Sequence, residues 1–130
     1  MSGNFIVVDD DRINNMICRK VIEQVFPQAD VQIFTDPHLA LHYIQEAFRH
    51  QTVPNAVLFL DINMPTLTGW EFLDAFQHFQ AGVKEHFTIY MLSSSIDPND
   101  KDHAATYDTV SGYLEKPLTR DKVESLFDKG

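Results

Sequence analysis

This chain of 130 residues contains a single cysteine, Cys18, so no disulfide can close within it, and such usage suits a reducing cytoplasm. Basic residues are also scarce. Ten Lys and Arg stand against nineteen Asp and Glu, for a net charge of −9. That balance argues against direct nucleic-acid binding, which needs a basic stripe to meet phosphates. No apolar run approaches the ~20 residues of a membrane span, and the N-terminus has no secretory signal pattern, so membrane insertion is not expected. Internal repeats, low-complexity tracts and linkers are missing too. With 44% hydrophobic residues, the expectation is one domain over 1–130, with no output domain, in the cytoplasm.

Short apolar runs alternate with segments of helical spacing, as in a βαβ succession with a parallel sheet. Strands are expected over 5–8, 31–34, 57–60, 88–92 and 112–115. The first helix is assigned an inner face of Ile13, Met16, Ile17, Val21 and Val25, ending before Pro27. Asp36 and Pro37 supply a cap and a first-turn proline for a second helix, packed through Ala40, Tyr43, Ile44, Ala47 and Phe48. A third helix begins near Gly69. Thr119 caps a last helix packed through Val123, Leu126 and Phe127. The helix over 97–107 is the thin element, with only Ala104, Ala105 and Tyr107 to bury, so it is expected to be held loosely.

The polar residues at the strand ends carry the chemistry. Strand 57–60 is apolar throughout, as in a strand buried on both faces, and ends in Asp61. Strand 5–8 likewise ends in Asp9-Asp10-Asp11, strand 88–92 in Ser93, and strand 112–115 in Lys116-Pro117. In a doubly wound sheet these carboxyl ends share one rim, where such folds bind ligands. Hard carboxylate oxygens with no dedicated His or Cys ligand suit Mg²⁺. A metal held by Asp10 and Asp61 would relieve repulsion among the acids, leaving Lys116 and Ser93 to meet a phosphoryl group.

These residues resemble the receiver domains of two-component response regulators, over nearly the whole chain. The matching features are Val8-Asp9-Asp10, Asp61-Ile62-Asn63-Met64-Pro65 with Gly69 downstream, Leu92-Ser93, and Lys116-Pro117. The resemblance implies a flavodoxin-like α/β fold: a five-stranded parallel sheet in the order 2-1-3-4-5 with helices on both faces. It implies that Asp61 accepts phosphate from a sensor histidine kinase or histidine phosphotransfer protein. Asp10 would bind Mg²⁺ directly, Asp9 through water, and Asn63 through its backbone carbonyl. Lys116 would pair with the phosphoryl oxygens, Ser93 would be the switch hydroxyl, and Tyr113 its aromatic partner. The downstream target would dock on the face made by the fourth strand, the 97–107 helix, the fifth strand and the last helix. The protein would be a monomer or a phosphorylation-dependent dimer, and not an enzyme. Asn63 and Ser95 would flank the path of the hydrolytic water. Thr68 departs from the aspartate frequent before the loop glycine, and Ser93 stands where threonine is frequent.

Two other functions compete. An aspartate-nucleophile phosphatase of the haloacid-dehalogenase type shares the sheet and the Mg²⁺, but needs a second acid two residues after the nucleophile, where this chain has Asn63. A phosphorylation-independent pseudo-receiver would not need the full set of Asp10, Asp61, Ser93 and Lys116. Elsewhere the plainer readings hold. Cys18 reads as a small apolar helix residue, Trp70 as a packing residue, and Asp100, Lys101 and Asp102 as a solvated helix face. His38 and His42 share a helix face but lack the acid or thiol company of a zinc site.

Overall fold

Strands that are apolar on both sides need covering on both sides, and the amphipathic segments between them do this. The computed structural model describes residues 3–49, 55–94 and 97–127. In chain order it contains β1 (Asn4–Val8), α1 (Arg12–Val25), β2 (Asp30–Phe34), α2 (Pro37–Arg49), β3 (Ala56–Asp61), α3 (Gly69–Gln77), α4 (Ala81–Lys84), β4 (Phe87–Ser93), α5 (Pro98–Ala105), β5 (Val110–Glu115) and α6 (Arg120–Phe127). The five strands pair in parallel in the order β2-β1-β3-β4-β5, the order the resemblance implies.

Successive residues of β1, β3 and β4 feed opposite cores. Phe5, Val7, Phe59, Tyr90 and Leu92 pack with Cys18, Ile22 and Val123, under α1 and α6. Ile6, Val8, Leu58, Leu60, Ile89 and Met91 pack with Ala40, Ile44, Phe72, Phe76, Val83 and Ala104, under α2 to α5.

The expected inner face of α1 holds in its second half, where Val21 and Val25 pack against the core, but is wrong by about one position in its first half. Ile13, Met16 and Ile17 are 70%, 65% and 40% exposed, while Asn14, Asn15, Cys18 and Ile22 are buried. Asp11 caps α1, accepting from the N–H groups of Ile13 and Asn14 at 2.9 and 3.3 Å. The first turn therefore starts directly over the acidic strand ends, where Asn14 and Asn15 find hydrogen-bond partners that apolar side chains could not use. Ile13, Met16 and Ile17 border a cavity of about 480 Å³ with Arg19, Lys20 and Glu23. In α2, Ala40 and Ile44 are buried and Tyr43 and Ala47 partly so; the Phe48 side chain lies outside the described residues.

The segment after β4 departs from expectation twice. The helix is shorter, Pro98–Ala105, with Asp97 as its cap, and of its apolar positions Ala104 is buried but Ala105 is exposed. It is also fastened from outside. His103 stacks on Trp70 of α3 with ring centroids 4.0 Å apart, and Tyr107 stacks on the same indole at 6.1 Å. The Tyr107 hydroxyl donates to Asp74 at 2.9 Å, and Gln77 Nε2 donates to Thr109 at 3.2 Å. Aromatic stacking thus replaces much of the core packing that α5 lacks. The one-turn α4 was not expected, because four residues are too few to show a helical period. Finally, β5 begins two residues earlier than expected, at Val110.

Candidate functional site

Parallel pairing of β1 with β3 sets Val8 opposite Leu60, so Asp9 and Asp61 leave the sheet side by side. Asp9 and Asp61 are 1% and 3% exposed, whereas Asp10, one residue further into the loop, is open to solvent. One oxygen from each of Asp9, Asp10 and Asp61 lies within 4.8 Å of the others. Two of these acids are buried and need compensation, which Lys116 supplies. Its Nζ lies 2.7 Å from Asp9 Oδ2 and 3.0 Å from Asp61 Oδ1. Lys116 follows β5, and its N–H donates to the Ser93 carbonyl at 2.7 Å, which ties β5 to the end of β4. The Lys116–Pro117 peptide is cis.

Burial raises the Asp61 carboxyl to about 6; hydrogen bonding to Lys116 opposes the rise and the Asp9 charge adds to it. For Lys116, burial alone would lower the ammonium, but the hydrogen bonds and charges of Asp9 and Asp61 outweigh it and hold it above its usual value. The two ion pairs therefore lift the lysine, yet its pairing with Asp61 does not bring that carboxyl back to the ordinary range, because Asp61 is buried and also faces Asp9.

The 62–68 loop is folded back on Asp61 by backbone contacts. Gly69 N–H donates to Ile62 O at 2.8 Å, and a Cβ at Gly69 would come within 2.7 Å of the Asp61 carbonyl oxygen. Only glycine lets α3 start so close to this strand end. Thr68 closes a capping box, accepting from Glu71 N–H at 3.1 Å while its own N–H donates to Glu71 Oε1 at 2.9 Å. The departure at position 68 is thus a helix cap. Asn63 is exposed, and its N–H donates to Asp61 Oδ1 at 3.4 Å.

Ser93 is buried at the last position of β4, paired in register with Glu115, and Tyr113 is half-buried opposite Met91. Met91 and Tyr113 belong to the core under α2 to α5, and the two-residue period of a strand turns Ser93 toward that same side. Ser95 lies outside the described residues.

Two residues escaped the sequence reading. Asn14 Nδ2 donates to Asp9 Oδ2 at 2.6 Å and lies 3.7 Å from Cys18 Sγ. Asn15 Nδ2 donates to the carbonyls of Asp9 and Phe34 at 2.9 and 3.1 Å, joining the ends of β1 and β2 to α1. The available signal was an asparagine pair in line with Cys18 and Ile22 at helical spacing, set aside for a more apolar stripe. Burial, and then the Asp9 charge, push the Cys18 thiol up to about 12, which leaves it inert and fits its reading as a small apolar residue.

The donor set fits a hard divalent cation: three carboxylates from two adjacent strand ends at one rim, with soft ligands absent from the cluster. Residues 5–128 match the response regulator receiver domain family. A two-component response regulator from Cytophaga hutchinsonii is 30% identical, with a TM-score of 0.87 over 98% of this chain and 95% of that one. Chemotaxis protein CheY4 of Vibrio cholerae, 23% identical, shares the fold at a TM-score of 0.79 over 99% and 98% of the two chains. Stress response regulator protein 1 of Scheffersomyces stipitis is 33% identical over 66 residues, 51% of this chain. The chain's match spans only 21% of that relative's length.

Proposed function

Because the chain belongs to the response regulator receiver domain family, whose members are in general signalling domains and not enzymes, we propose that it is a phosphoacceptor whose nucleophile is Asp61. The observation that carries this reading is the pairing of one lysine with two buried aspartates at adjacent strand ends. An Asp61 carboxylate oxygen attacks the phosphorus of a phosphohistidine, held by a sensor histidine kinase or a phosphotransfer protein. The phosphorus–nitrogen bond breaks, its electron pair leaves with the imidazole, and an acyl phosphate remains on Asp61. Lys116 moves its charge onto the phosphoryl oxygens. When bound, Mg²⁺ adds positive charge that offsets the negative charge of the transferring group. Asp10, Asp61 and the Asn63 carbonyl would hold it, with Asp9 acting through water. The exposed Ile13, Met16 and Ile17 lie on the first two turns of α1, the helix that follows Asp10, which suits a protein donor better than a small one.

The order Asp10 before Asp9 is supported by what already occupies Asp9. Its Oδ1 accepts from Asp11 N–H at 2.9 Å and its Oδ2 from Asn14 and Lys116, whereas Asp10 is exposed. Asp10→Asn is expected to weaken Mg²⁺ binding about tenfold or more, and Asp9→Asn less. Calorimetric titration with MgCl₂ checks this, and equal losses would reverse the assignment.

Output follows from the same reading. Phosphorylation draws Ser93 toward the new oxygens and gives Tyr113 room to turn. The face of β4, α5, β5 and α6 then changes for a downstream protein, with the protein cytoplasmic and monomeric or dimerising once phosphorylated. Incubation with acetyl phosphate and Mg²⁺ tests the function. One stable adduct of about +80 Da per chain is expected. Continuous release of phosphate would instead indicate a phosphatase, and no reaction a binding module.

A further inference from the structure

Asp9 presents a problem that the phosphoacceptor reading creates and Lys116 alone does not solve. Asp9 is 1% exposed, and one of its two oxygens, Oδ2, is shared by Lys116 Nζ at 2.7 Å and Asn14 Nδ2 at 2.6 Å. If Lys116 transfers its attention to a phosphoryl group on Asp61, a buried carboxylate oxygen loses its charged partner. Buried carboxylates left without partners are strongly disfavoured. Asn14 cannot follow Lys116, because α1 holds it: its N–H is bound to the Asp11 cap, and its side chain is 8% exposed against Cys18.

We infer that Asn14 is a positioning residue, which keeps Asp9 aimed and partnered when Lys116 leaves for the phosphoryl group. Its chemistry suits this task. The amide donates a hydrogen bond without adding a charge, so it supports Asp9 without repelling a divalent cation, as a lysine or arginine there would. Among the described residues, removing it takes one of two side-chain donors from Oδ2 before transfer, but the last remaining one during transfer. The loss therefore falls more heavily on the transition state than on the resting state.

This inference rests on the phosphoacceptor reading, and the experiment separates the two. Wild-type protein is first shown to take up one phosphoryl group from acetyl phosphate; failure there overturns the reading itself. Asn14→Leu keeps the approximate bulk and removes the donor. It is expected to reach the same final stoichiometry with half-saturating Mg²⁺ within about twofold of wild type, but at a maximal rate about tenfold lower. Asn14→Gln, which retains the amide, is expected to recover most of that rate. A Leu variant as fast as wild type, or a Gln variant as slow as Leu, overturns the inference. The second readout needs no variant. Side-chain NMR of the wild-type protein is followed as MgCl₂ and beryllofluoride, a phosphoryl mimic, are added. The Lys116 ammonium resonance is expected to shift while the Asn14 amide protons keep their hydrogen-bonded position. Movement of both, or of Asn14 alone, also overturns the inference.

Discussion

Asp61→Asn is expected to abolish acyl-phosphate formation and, in the same step, to stabilise the metal-free fold. The first effect follows from the proposed role of Asp61 as the nucleophile; no adduct should be found by mass spectrometry after acetyl phosphate treatment, and stable phosphate elsewhere on the chain would contradict the assignment. The second follows from the Asp61 carboxyl, which burial raises to about 6. A carboxylic acid with a folded value above its unfolded one of 3.8 takes up protons on folding. Its contribution to stability is therefore fully present below pH 3.8 and is lost as pH rises through about 6. At pH 7 the ionised group costs on the order of 1–3 kcal/mol. The amide carries no such cost, and Lys116 still has Asp9 at 2.7 Å. The stability difference between variant and wild type should thus be small near pH 4.5 and reach its full size by pH 7, as read from urea unfolding. With Asp61 as a proposed Mg²⁺ ligand, the same titration is expected to set metal affinity: protons compete with Mg²⁺ for Asp61, so binding should weaken as pH falls through about 6.

Lys116→Met should do the reverse to the metal-free fold. Its Nζ is the cation shared by Asp9 and Asp61. Removing one member of a buried ion pair costs about 3–5 kcal/mol. With the lysine side chain 18% exposed, the loss here is about 2–4 kcal/mol. Mg²⁺ should restore much of it, because a divalent cation replaces the missing charge and no longer competes with an ammonium. The increase in urea midpoint on adding Mg²⁺ is thus expected to be larger in Lys116→Met than in wild type. Combining Lys116→Met with Asp61→Asn should recover stability without metal, since one of the two uncompensated acids is then neutral. A double variant as unstable as Lys116→Met would mean that the lysine acts through packing and not through charge.

How far the sequence discloses this molecule depends on how local each feature is. Apolar runs ended by Asp9, Asp61, Ser93 and Lys116 are local signals, and they locate four strands and bring the site residues to one rim. Side-chain direction on a helix is less local. In α1, the stripe of Ile13, Met16 and Ile17 is more apolar than that of Asn14, Cys18 and Ile22, yet the second faces inward. What decides is the polar strand ends beneath the first turn, and they become visible only once β1 and β2 are assembled. The fastening of α5 is similarly out of view. Trp70 and His103 are far apart in sequence and their stacking depends on how α3 and α5 meet over the sheet. The strand order rests on resemblance; apolar periodicity alone does not contain it.

The stack of Trp70 on His103 also bears on how this protein can be observed. Trp70 is the only tryptophan in the chain. It sits at the second position of α3, next to the glycine packed against the Asp61 carbonyl, and its ring lies against α5. One native chromophore is therefore placed at the junction between the strand end that carries Asp61 and α5, the helix on the proposed output face. Its emission reads the local environment of that junction without a dye or an added label. Events at Asp61 and displacements of α5 can be followed in unmodified protein, in the same cuvette and on the same time axis.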